Sequence, residues 1–309
     1  MKLNQFRDVV AIVEQGSLRA AARQLGLAQP ALSRSIRELE HELGASLFER
    51  RSRGMVLTPM GEAFVVRAGA ILRDVKRVSE EIDQLCGNVR GSVVVALSIA
   101  AHLVLFPKIL KPFRTRFPDV RLHVIEGFYP TVEHDLKEGK IDFYVGPEPK
   151  GPLPPELLTE QLFPNMRTVI GRKGHPLAKS RSLGDLASAE WATTSITTTE
   201  EDELGTLFAT LKLPPPRLVL RCQSALTLIV ALTNSDILAM VPRQWTEFKA
   251  IAELFEEIQV AELLRAPPMV LIRRAGLPLT PAAEYFSDLL KRCSDREAAA
   301  LIPPSIPRR

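Results

Sequence analysis

The chain has 309 residues, of which 25% are charged, and it carries a formal net charge of +4 with an isoelectric point near 9.0. This length accommodates two or three domains with sizeable hydrophobic cores. Cys86, Cys222 and Cys293 lie far apart without CxxC spacing, which argues against a disulfide scaffold or a zinc site. The first residues lack the pattern of a signal peptide, and no apolar run is long enough to cross a bilayer. We therefore expect a cytoplasmic protein with no membrane partner.

The positive charge is concentrated near the N-terminus, where a first helix is predicted over residues 1–15. Residues 1–58 hold nine Lys and Arg against six Asp and Glu, which accounts for most of the net charge. A basic excess confined to one small region favours a polyanionic partner for that region alone.

Residues 17–43 have the pattern of two short helices joined by a tight turn. Ser17 is a suitable N-cap for the first helix, Gly26 ends it, and Pro30 suits the first turn of the second. One side of the second helix is apolar, and the other presents amide, hydroxyl and guanidinium groups. The pattern predicts a helix-turn-helix with a recognition helix. The alternative is an ordinary helical hairpin whose charges are solvated.

A short hairpin is predicted next. Residues 47–48 and 55–57 are extended pieces on either side of a basic tip, which contains Arg50, Arg51 and Arg53. Arginines in such a wing fit contacts with DNA phosphates or with the minor groove. A solvated basic loop is the alternative.

Pro59 begins a long helix that is predicted to end near Leu85. Its apolar residues alternate spacings of four and three over three heptads, which is typical of a helix that pairs with a partner helix. Packing against the rest of its own domain is the alternative. The predicted dimerisation seam consists of Phe64, Ala68, Ile71, Val75, Val78, Ile82 and Leu85.

Beyond a hinge at residues 87–91, predicted strands alternate with predicted helices. This alternation indicates an α/β fold with a parallel sheet, helices on both faces and two lobes. The predicted strands are 92–98, 121–127, 141–146, 157–162, 166–171, 191–195, 217–222, 237–241, 255–260 and 268–274. The predicted helices are 102–117, 131–138, 201–211, 225–233, 244–253 and 281–294. Residues 296–309 lack a core-forming pattern and are expected to be a disordered tail.

Residues 18–62 resemble the N-terminal domain of the LysR-type transcriptional regulators almost position by position. The family usually has Ser before Gln-Pro, where this chain has Ala28, and the loss of an N-cap hydroxyl costs about 1 kcal/mol. The resemblance is strong over the first 85 or so residues and only architectural beyond them. The matching motifs are Gln29-Pro30-Ala31-Leu32-Ser33, Ile36, Leu39-Glu40, Leu43-Gly44, Leu47-Phe48-Glu49-Arg50, and Leu57-Thr58 with Gly61.

This resemblance implies a domain order. A winged helix-turn-helix DNA-binding domain would occupy residues 1–58, and a linker helix over 59–87 would pair two subunits. An effector domain like a periplasmic binding protein would follow, with lobe I formed by 88–165 plus 266–295 and lobe II by 166–265. The implied partners are a double-stranded DNA operator, a small-molecule effector, further copies in a homodimer or homotetramer, and RNA polymerase as one more candidate.

The DNA contacts are expected on the recognition helix and the wing. Gln suits the paired donor and acceptor of adenine, and Arg suits O6 and N7 of guanine. Arg37 and the wing arginines are expected nearer the DNA backbone. The predicted DNA-binding residues are Gln29, Pro30, Ser33, Arg34, Arg37, Arg50, Arg51 and Arg53.

The effector site is expected beyond the carboxyl ends of the strands, where open parallel sheets bind ligands. Hydroxyls, one amide and apolar side chains follow these strands, with few charges. They favour a small anionic ligand with an apolar part, such as a carboxylate or an aromatic acid. For each hydroxyl, a simple helix cap is the alternative. The predicted effector-binding residues are Ser98, Ile99, Ala100, Phe128, Tyr129, Thr131, Thr193, Thr194, Ser195, Ile196, Gln223 and Ser224.

The sequence gives little support for catalysis. Its five histidines are scattered, and no GxSxG, HExxH, Walker or GxGxxG motif follows a strand. The alternative to a regulator is a solute-binding protein or an enzyme of similar α/β fold, with the N-terminal helices serving only for dimerisation. A transport-type binder would need a signal peptide, and an enzyme would need converging titratable groups. We therefore expect an effector-responsive DNA-binding regulator that is not an enzyme and needs no cofactor or metal.

Overall fold

A computed structural model describes residues 1–51, 54–88, 90–194 and 203–301 of the chain. Three helices begin it: α1 (Leu3–Gln15), α2 (Leu18–Leu25) and α3 (Gln29–Leu43). The Ser17 hydroxyl caps α2 by accepting from the backbone N–H of Ala20 at 3.2 Å, as the sequence predicts. The apolar faces of the three helices form one small core.

A two-stranded hairpin follows α3, with β1 (Phe48–Arg51) antiparallel to β2 (Gly54–Leu57). The long helix α4 (Pro59–Leu85) begins directly after it and is capped by Thr58, whose Oγ1 accepts from the backbone N–H of Gly61 at 3.0 Å. A Cβ at Gly61 would lie 2.0 Å from the backbone oxygen of Leu47. The glycine of the Leu-Thr-x-x-Gly motif is therefore required by close packing against the hairpin.

The rest of the described chain contains a nine-stranded sheet with helices on both of its faces. Its strands are β3 (Gly91–Leu97), β4 (Val120–Glu126), β5 (Phe143–Pro147), β6 (Leu157–Arg172), β7 (Glu190–Thr193), β8 (Arg217–Arg221), β9 (Leu238–Pro242), β10 (Phe255–Ile258) and β11 (Arg265–Arg274). The strand order is β4-β3-β5-β11-β6-β9-β7-β8, and β10 pairs with β6. We call the end of the sheet with β3, β4 and β5 lobe I, and the end with β7, β8 and β9 lobe II.

Helices cover both faces of the sheet in each lobe, and apolar clusters fill the space between them. Among the residues described, no helix combines the length and the apolar character needed to cross a membrane. The helices are α5 (Ile99–Val104), α6 (Phe106–Arg116), α7 (Tyr129–Lys137), α8 (Glu203–Thr210), α9 (Ala225–Thr233), α10 (Gln244–Glu247), α11 (Lys249–Ala252) and α12 (Pro281–Leu301), with a 3₁₀ turn at Gly184–Leu186.

The expectation of a parallel sheet is correct only within each lobe. β3 is parallel to β4 and β5, and β7 is parallel to β8 and β9. β6 and β11 run antiparallel to each other and to their other neighbours. The cause is that the chain crosses between the lobes twice, once in each direction.

The predicted break between strands 157–162 and 166–171 is wrong, because β6 is one strand of 16 residues. Pro164 lies inside this strand, although proline cannot donate a hydrogen bond to a neighbouring strand. In the structure the register of β11 shifts between Ala266 and Met269, across from this proline. A bulge at that point absorbs the missing hydrogen bond.

Several helix boundaries also differ from the prediction. The predicted helix 102–117 is divided into α5 and α6, because Pro107 begins a new first turn. The predicted helix 244–253 is divided at Phe248, whose backbone is extended. The expected disordered tail from residue 296 is wrong for 296–301, since α12 continues to Leu301 and Lys108 forms an ion pair with Glu297.

Candidate DNA-binding and effector sites

The recognition helix α3 divides its residues between a buried and an exposed side. Leu32, Ile36 and Leu39 are buried in the domain core. The other side presents the predicted contacts together, with Ser33 half-buried and the rest exposed: Gln29, Pro30, Ser33, Arg34 and Arg37. Ala28 at the N-cap makes no side-chain hydrogen bond. The helix can therefore lay one polar face against a DNA groove without exposing its core.

The predicted wing is observed as the β1–β2 hairpin. Of its predicted contacts, Arg53 and the side chains of Arg50 and Arg51 lie outside the described part of the chain. Their role stays a prediction.

The seam of α4 is exposed over its C-terminal two-thirds. Ile71, Val75, Val78, Ile82 and Leu85 are between 41% and 68% exposed in the single chain. Five large apolar side chains in a row on one helix face leave a surface that a second helix can cover.

The first two residues of the predicted seam belong to the domain core instead. The Phe64 ring stacks on Phe6 of α1, with centroids 5.3 Å apart. Ala68 has no exposed surface in the single chain. Packing within the domain, the alternative to pairing, therefore holds for this first part of the helix.

The opposite face of α4 is tied to lobe I by ion pairs that sequence reasoning missed. Arg73 donates from Nε to the backbone oxygen of Glu138 and from Nη2 to its Oε2, both at 2.8 Å. Arg274 at the end of β11 donates from Nη1 and Nη2 to the two carboxylate oxygens of Asp74, both at 3.1 Å. Arg73 and Glu138 are 65 residues apart in the chain, and Asp74 and Arg274 are 200 residues apart, so neither pair leaves a local pattern in the sequence.

Two further contacts extend this attachment along α4. Arg77 pairs with Asp142, whose Oδ2 also accepts from a backbone N–H of β3 at 2.8 Å. Burial lowers the pKa of the Arg77 guanidinium, and the nearby Asp74 carboxylate opposes this effect. The Gln84 side chain accepts from the backbone N–H of Ala282 at 2.9 Å. We call these contacts of Arg73, Asp74, Arg77 and Gln84 the linker attachment.

The carboxyl ends of the parallel strands bring the predicted effector residues together in pairs. The backbone N–H of Gly127 after β4 donates to the oxygen of Leu97 in β3 at 3.2 Å, so Ser98 and Phe128 lie close in the fold. The backbone N–H of Cys222 after β8 donates to the oxygen of Thr193 at 3.0 Å.

The strand ends of lobe I and those of lobe II contact each other. Ile99 and Phe128 of lobe I pack against a lobe II cluster that includes Ala192, Cys222 and Trp245. Ala192 and Cys222 stand at the carboxyl ends of β7 and β8. The structure therefore places the apolar part of the predicted site at the contact between the lobes.

Several predicted hydroxyls serve their own helices. Ser98 is 2% exposed, and its Oγ accepts from the first turn of α5 at 3.4 Å. Ser224 is exposed and caps α9 in the same way at 3.4 Å. Thr131 donates to the backbone oxygen of Phe128 at 2.9 Å. In this structure Ser98 and Ser224 are therefore helix caps, which is the alternative to a role in ligand binding.

Two predicted effector residues face the lobe I core instead of lobe II. Ala100 is 1% exposed within the cluster beneath α6 and α12. Tyr129, the first residue of α7, is buried in the apolar cluster between α7 and the sheet, where its ring lies 6.2 Å from that of Tyr144 between centroids. Burial, reinforced by the Glu133 carboxylate, raises the pKa of Tyr129 to about 12.

The remaining effector predictions lie around lobe II. Thr194 is half-buried and Gln223 is exposed, whereas Ser195 and Ile196 fall outside the residues that the structure describes.

One charged pair at this edge escaped the sequence analysis. Arg167 in β6 lies opposite Pro242, the last residue of β9, and donates from Nε and Nη2 to Oε2 of Glu203 at 3.1 and 2.7 Å. The rule that ligands bind after parallel strands does not point to Arg167, because this residue lies inside a strand that runs antiparallel to β9.

Comparison with known proteins bears on both sites. The family described as "Bacterial regulatory helix-turn-helix protein, lysR family" matches residues 3–62, and "LysR substrate binding domain" matches residues 87–294. The regulator GbpR of Rhizobium radiobacter is 26% identical over 252 residues, covering 80% of this chain and 83% of that protein. An SDS degradation transcriptional activation protein of a Pseudomonas species is 29% identical over 299 residues, covering 93% and 95%.

Solved structures share the fold at lower identity. Full-length CbnR complexed with target DNA has a TM-score of 0.68 at 21% identity, covering 95% of this chain and 100% of that one. A full-length OxyR variant of Pseudomonas aeruginosa also has a TM-score of 0.68, at 22% identity, covering 95% and 96%. With both of its parts matched, the chain belongs to the LysR family of bacterial transcriptional regulators and joins a DNA-binding helix-turn-helix domain to an effector-binding domain.

Proposed function

We propose that α3 reads base edges in the major groove of an operator, while the wing contacts the DNA backbone. The observation that carries this proposal is the division of α3 into a buried apolar side and an exposed side with Gln29, Ser33 and Arg34. Amide and guanidinium groups are the side chains that read adenine and guanine. The basic excess of residues 1–58 supplies the attraction to phosphates.

The effector proposed here is a small carboxylate, including aromatic acids, bound between the lobes. The half-buried Thr193 and Thr194 offer polar groups, and Ile99 and Phe128 offer apolar cover at the lobe contact. Ser98, which caps α5 in this structure, is proposed to reach the ligand only when the lobes rearrange around it. Arg167 adds a positive charge at the same edge, at present satisfied by Glu203. A mixture of apolar walls and few polar groups is usual for small-molecule sites.

A ligand screen on the full chain tests this effector site. We expect a panel of small aliphatic and aromatic carboxylates to yield a compound that raises the melting temperature and changes operator binding. Ser98→Ala is expected to weaken both effects while basal DNA binding stays intact. Ser182→Ala is the matched control, because it removes a hydroxyl that accepts from the 3₁₀ turn at Gly184–Leu186 at 3.2 Å, away from the cleft. Equal ligand responses in wild type and both variants would place the ligand elsewhere.

The proposed assembly is a homodimer or homotetramer in which α4 pairs two subunits. Its exposed seam from Ile71 to Leu85 supports this pairing. Two reading heads held by one coiled coil would bind an interrupted palindrome. We assign the domains as in the sequence-based division, with α12 extended to Leu301, and propose a cytoplasmic protein for which RNA polymerase is a candidate partner.

A further inference from the structure

The first half of α3 is held in its domain mainly by apolar contacts. Leu32 and Ile36 are buried among residues of the other helices. Ala28, at the N-cap, contributes no side-chain hydrogen bond to the first turn. Apolar contacts have no preferred direction. They therefore fix the depth of this half of α3 in the domain better than its rotation about the helix axis. The second half has its own directional contact, because Glu40 Oε1 accepts from the backbone N–H groups of Leu47 and Phe48 at 2.7 and 3.2 Å.

One directional contact crosses from this half of α3 to α1. Ser35 Oγ donates to Oδ2 of Asp8 at 2.6 Å. Asp8 is 1% exposed, and its Oδ1 makes no hydrogen bond to the described part of the chain. The guanidinium of Arg7 lies 3.6 Å from that oxygen and is itself mostly exposed.

Stability alone does not explain a carboxylate at position 8. A buried carboxyl group with one hydrogen bond and one distant, exposed partner charge is costly, and an apolar side chain would fill the same space without that cost. What Asp8 adds is direction, because a hydrogen bond has strict distance and angle requirements. Its partner Ser35 directly follows Arg34 in the recognition helix.

We propose that Asp8 and Ser35 form a positioning pair that sets the rotation of α3 and thereby selects the bases that Arg34 and Gln29 reach. Neither residue contacts DNA in this scheme. The inference rests on the proposed reading of DNA by α3. It gives Asp8 a role in sequence specificity from inside the domain, at a helix whose own N-cap lacks the usual hydroxyl.

Full-length Asp8→Ala, Ser35→Ala and Asp8→Asn variants test the pair. The probe is the highest-affinity duplex that the wild-type chain selects from a random-sequence library. Asp8→Ala and Ser35→Ala are each expected to lower affinity for it by about 10-fold, because a rotated α3 misaligns one base contact of Arg34 or Gln29. Both should select a broader set of sequences in a repeated selection. Affinity for a scrambled duplex should stay unchanged, because phosphate contacts carry no sequence information.

The remaining variants separate the hydrogen bond from other effects. Asp8→Asn keeps an acceptor oxygen and should retain wild-type sequence preference. A double variant of Asp8→Ala and Ser35→Ala should bind no worse than either single one, because both remove the same bond. Thr58→Val removes two hydrogen bonds at the start of α4 and controls for lost stability. It should lower the melting temperature without changing the selected sequence.

Three results would overturn the inference. Asp8→Ala and Ser35→Ala could select the wild-type sequence with wild-type affinity. Asp8→Asn could prove as weak as Asp8→Ala, which would make the charge and not the bond decisive. Thr58→Val could broaden selection equally. Arg34→Ala distinguishes a failure of this inference from a failure of the proposed function. If Arg34→Ala also binds like wild type, α3 does not read the operator. If Arg34→Ala weakens binding and the Asp8 and Ser35 variants do not, only the positioning pair is wrong.

Discussion

Arg34 and Arg37 lie on the exposed face of α3 but are expected to contact different parts of the DNA. Arg37 Nε donates to the backbone oxygen of Ser33 at 3.2 Å, which holds this guanidinium close to its own helix. Arg34 lies nearer the N-terminus of α3, the part of a recognition helix that contacts base edges.

We expect Arg34→Ala to cost roughly 1–3 kcal/mol of operator binding and to relax the preference at one base position. Arg37→Ala should weaken all sequences alike and reduce the salt dependence of log K by about one unit. Binding titrations at several salt concentrations, with the selected duplex and with single-base variants of it, measure both effects. Unchanged affinity in Arg34→Ala would contradict the assignment of the recognition helix.

Gly61 is expected to tolerate no side chain. A Cβ there would meet the backbone oxygen of Leu47 at 2.0 Å, and neither backbone can move without disturbing the cap at Thr58. Gly61→Ala should destabilise the N-terminal domain by about 1–3 kcal/mol, as overpacking does. Gly69→Ala in the same helix is the control, because its Cβ would meet only the end of the Arg73 side chain at 3.1 Å. Thermal unfolding followed by circular dichroism compares the two, and equal melting temperatures would refute the argument.

At the scale of elements, the N-terminal half could be predicted because its signals are local. Ser17 caps α2, Gly26 ends it, and α4 spans Pro59–Leu85 as its heptads indicate. The effector domain offered fewer such signals. Strand β6 continues through Pro164 because β11 bulges beside it, and that partner lies about a hundred residues away in the chain.

The candidate sites divide in the same way. The shared polar face of α3 and the strand-end position of Ser98 could be predicted, since each depends on neighbours in sequence. The ion pair of Arg167 with Glu203 and the contacts of α4 with lobe I could not, because they join distant elements. Similarly, the heptad pattern runs on through Ala68, although only its later part is free for a partner.

The seam of α4 leads to a prediction about assembly. Ile71→Asp would place a charge in the apolar interface between paired helices, where its desolvation is unfavourable. We expect this variant to sediment as a smaller species than wild type and to lose binding to the full palindrome. Lys76→Asp, whose side chain is 71% exposed and off the seam, should leave the assembly intact. An unchanged sedimentation coefficient for Ile71→Asp would mean that α4 does not hold the subunits together.

At the scale of the whole molecule, the linker attachment connects the effector site with the DNA-binding end. Phe128 is the N-cap of α7 and packs on lobe II, and Glu138 is the C-cap at the other end of the helix and binds Arg73 of α4. A helix of nine residues can carry a displacement from one of its ends to the other. A shift of Phe128 when the lobes rearrange around a ligand would therefore reach α4 through Glu138 and Arg73.

We expect an Arg73→Gln and Asp74→Asn double variant to uncouple these two ends. It removes the ion pairs with Glu138 and Arg274 but leaves the exposed seam of α4 unchanged. Hydrogen exchange in residues 70–85 should become faster. The carboxylate found in the ligand screen should still raise the melting temperature, because the effector site is unchanged. It should no longer change operator binding, because the contacts that join lobe I to α4 are lost.

Lys76→Gln is the matched control for that experiment, since it removes only an ion pair with Glu80 within α4. It should exchange at the wild-type rate and keep the ligand response, because a single exposed pair contributes little. If the double variant also exchanges like wild type, or still transmits the ligand to the operator, the signal does not pass through the linker attachment. It would then have to travel between the effector domains of neighbouring subunits, a route that the single chain does not contain.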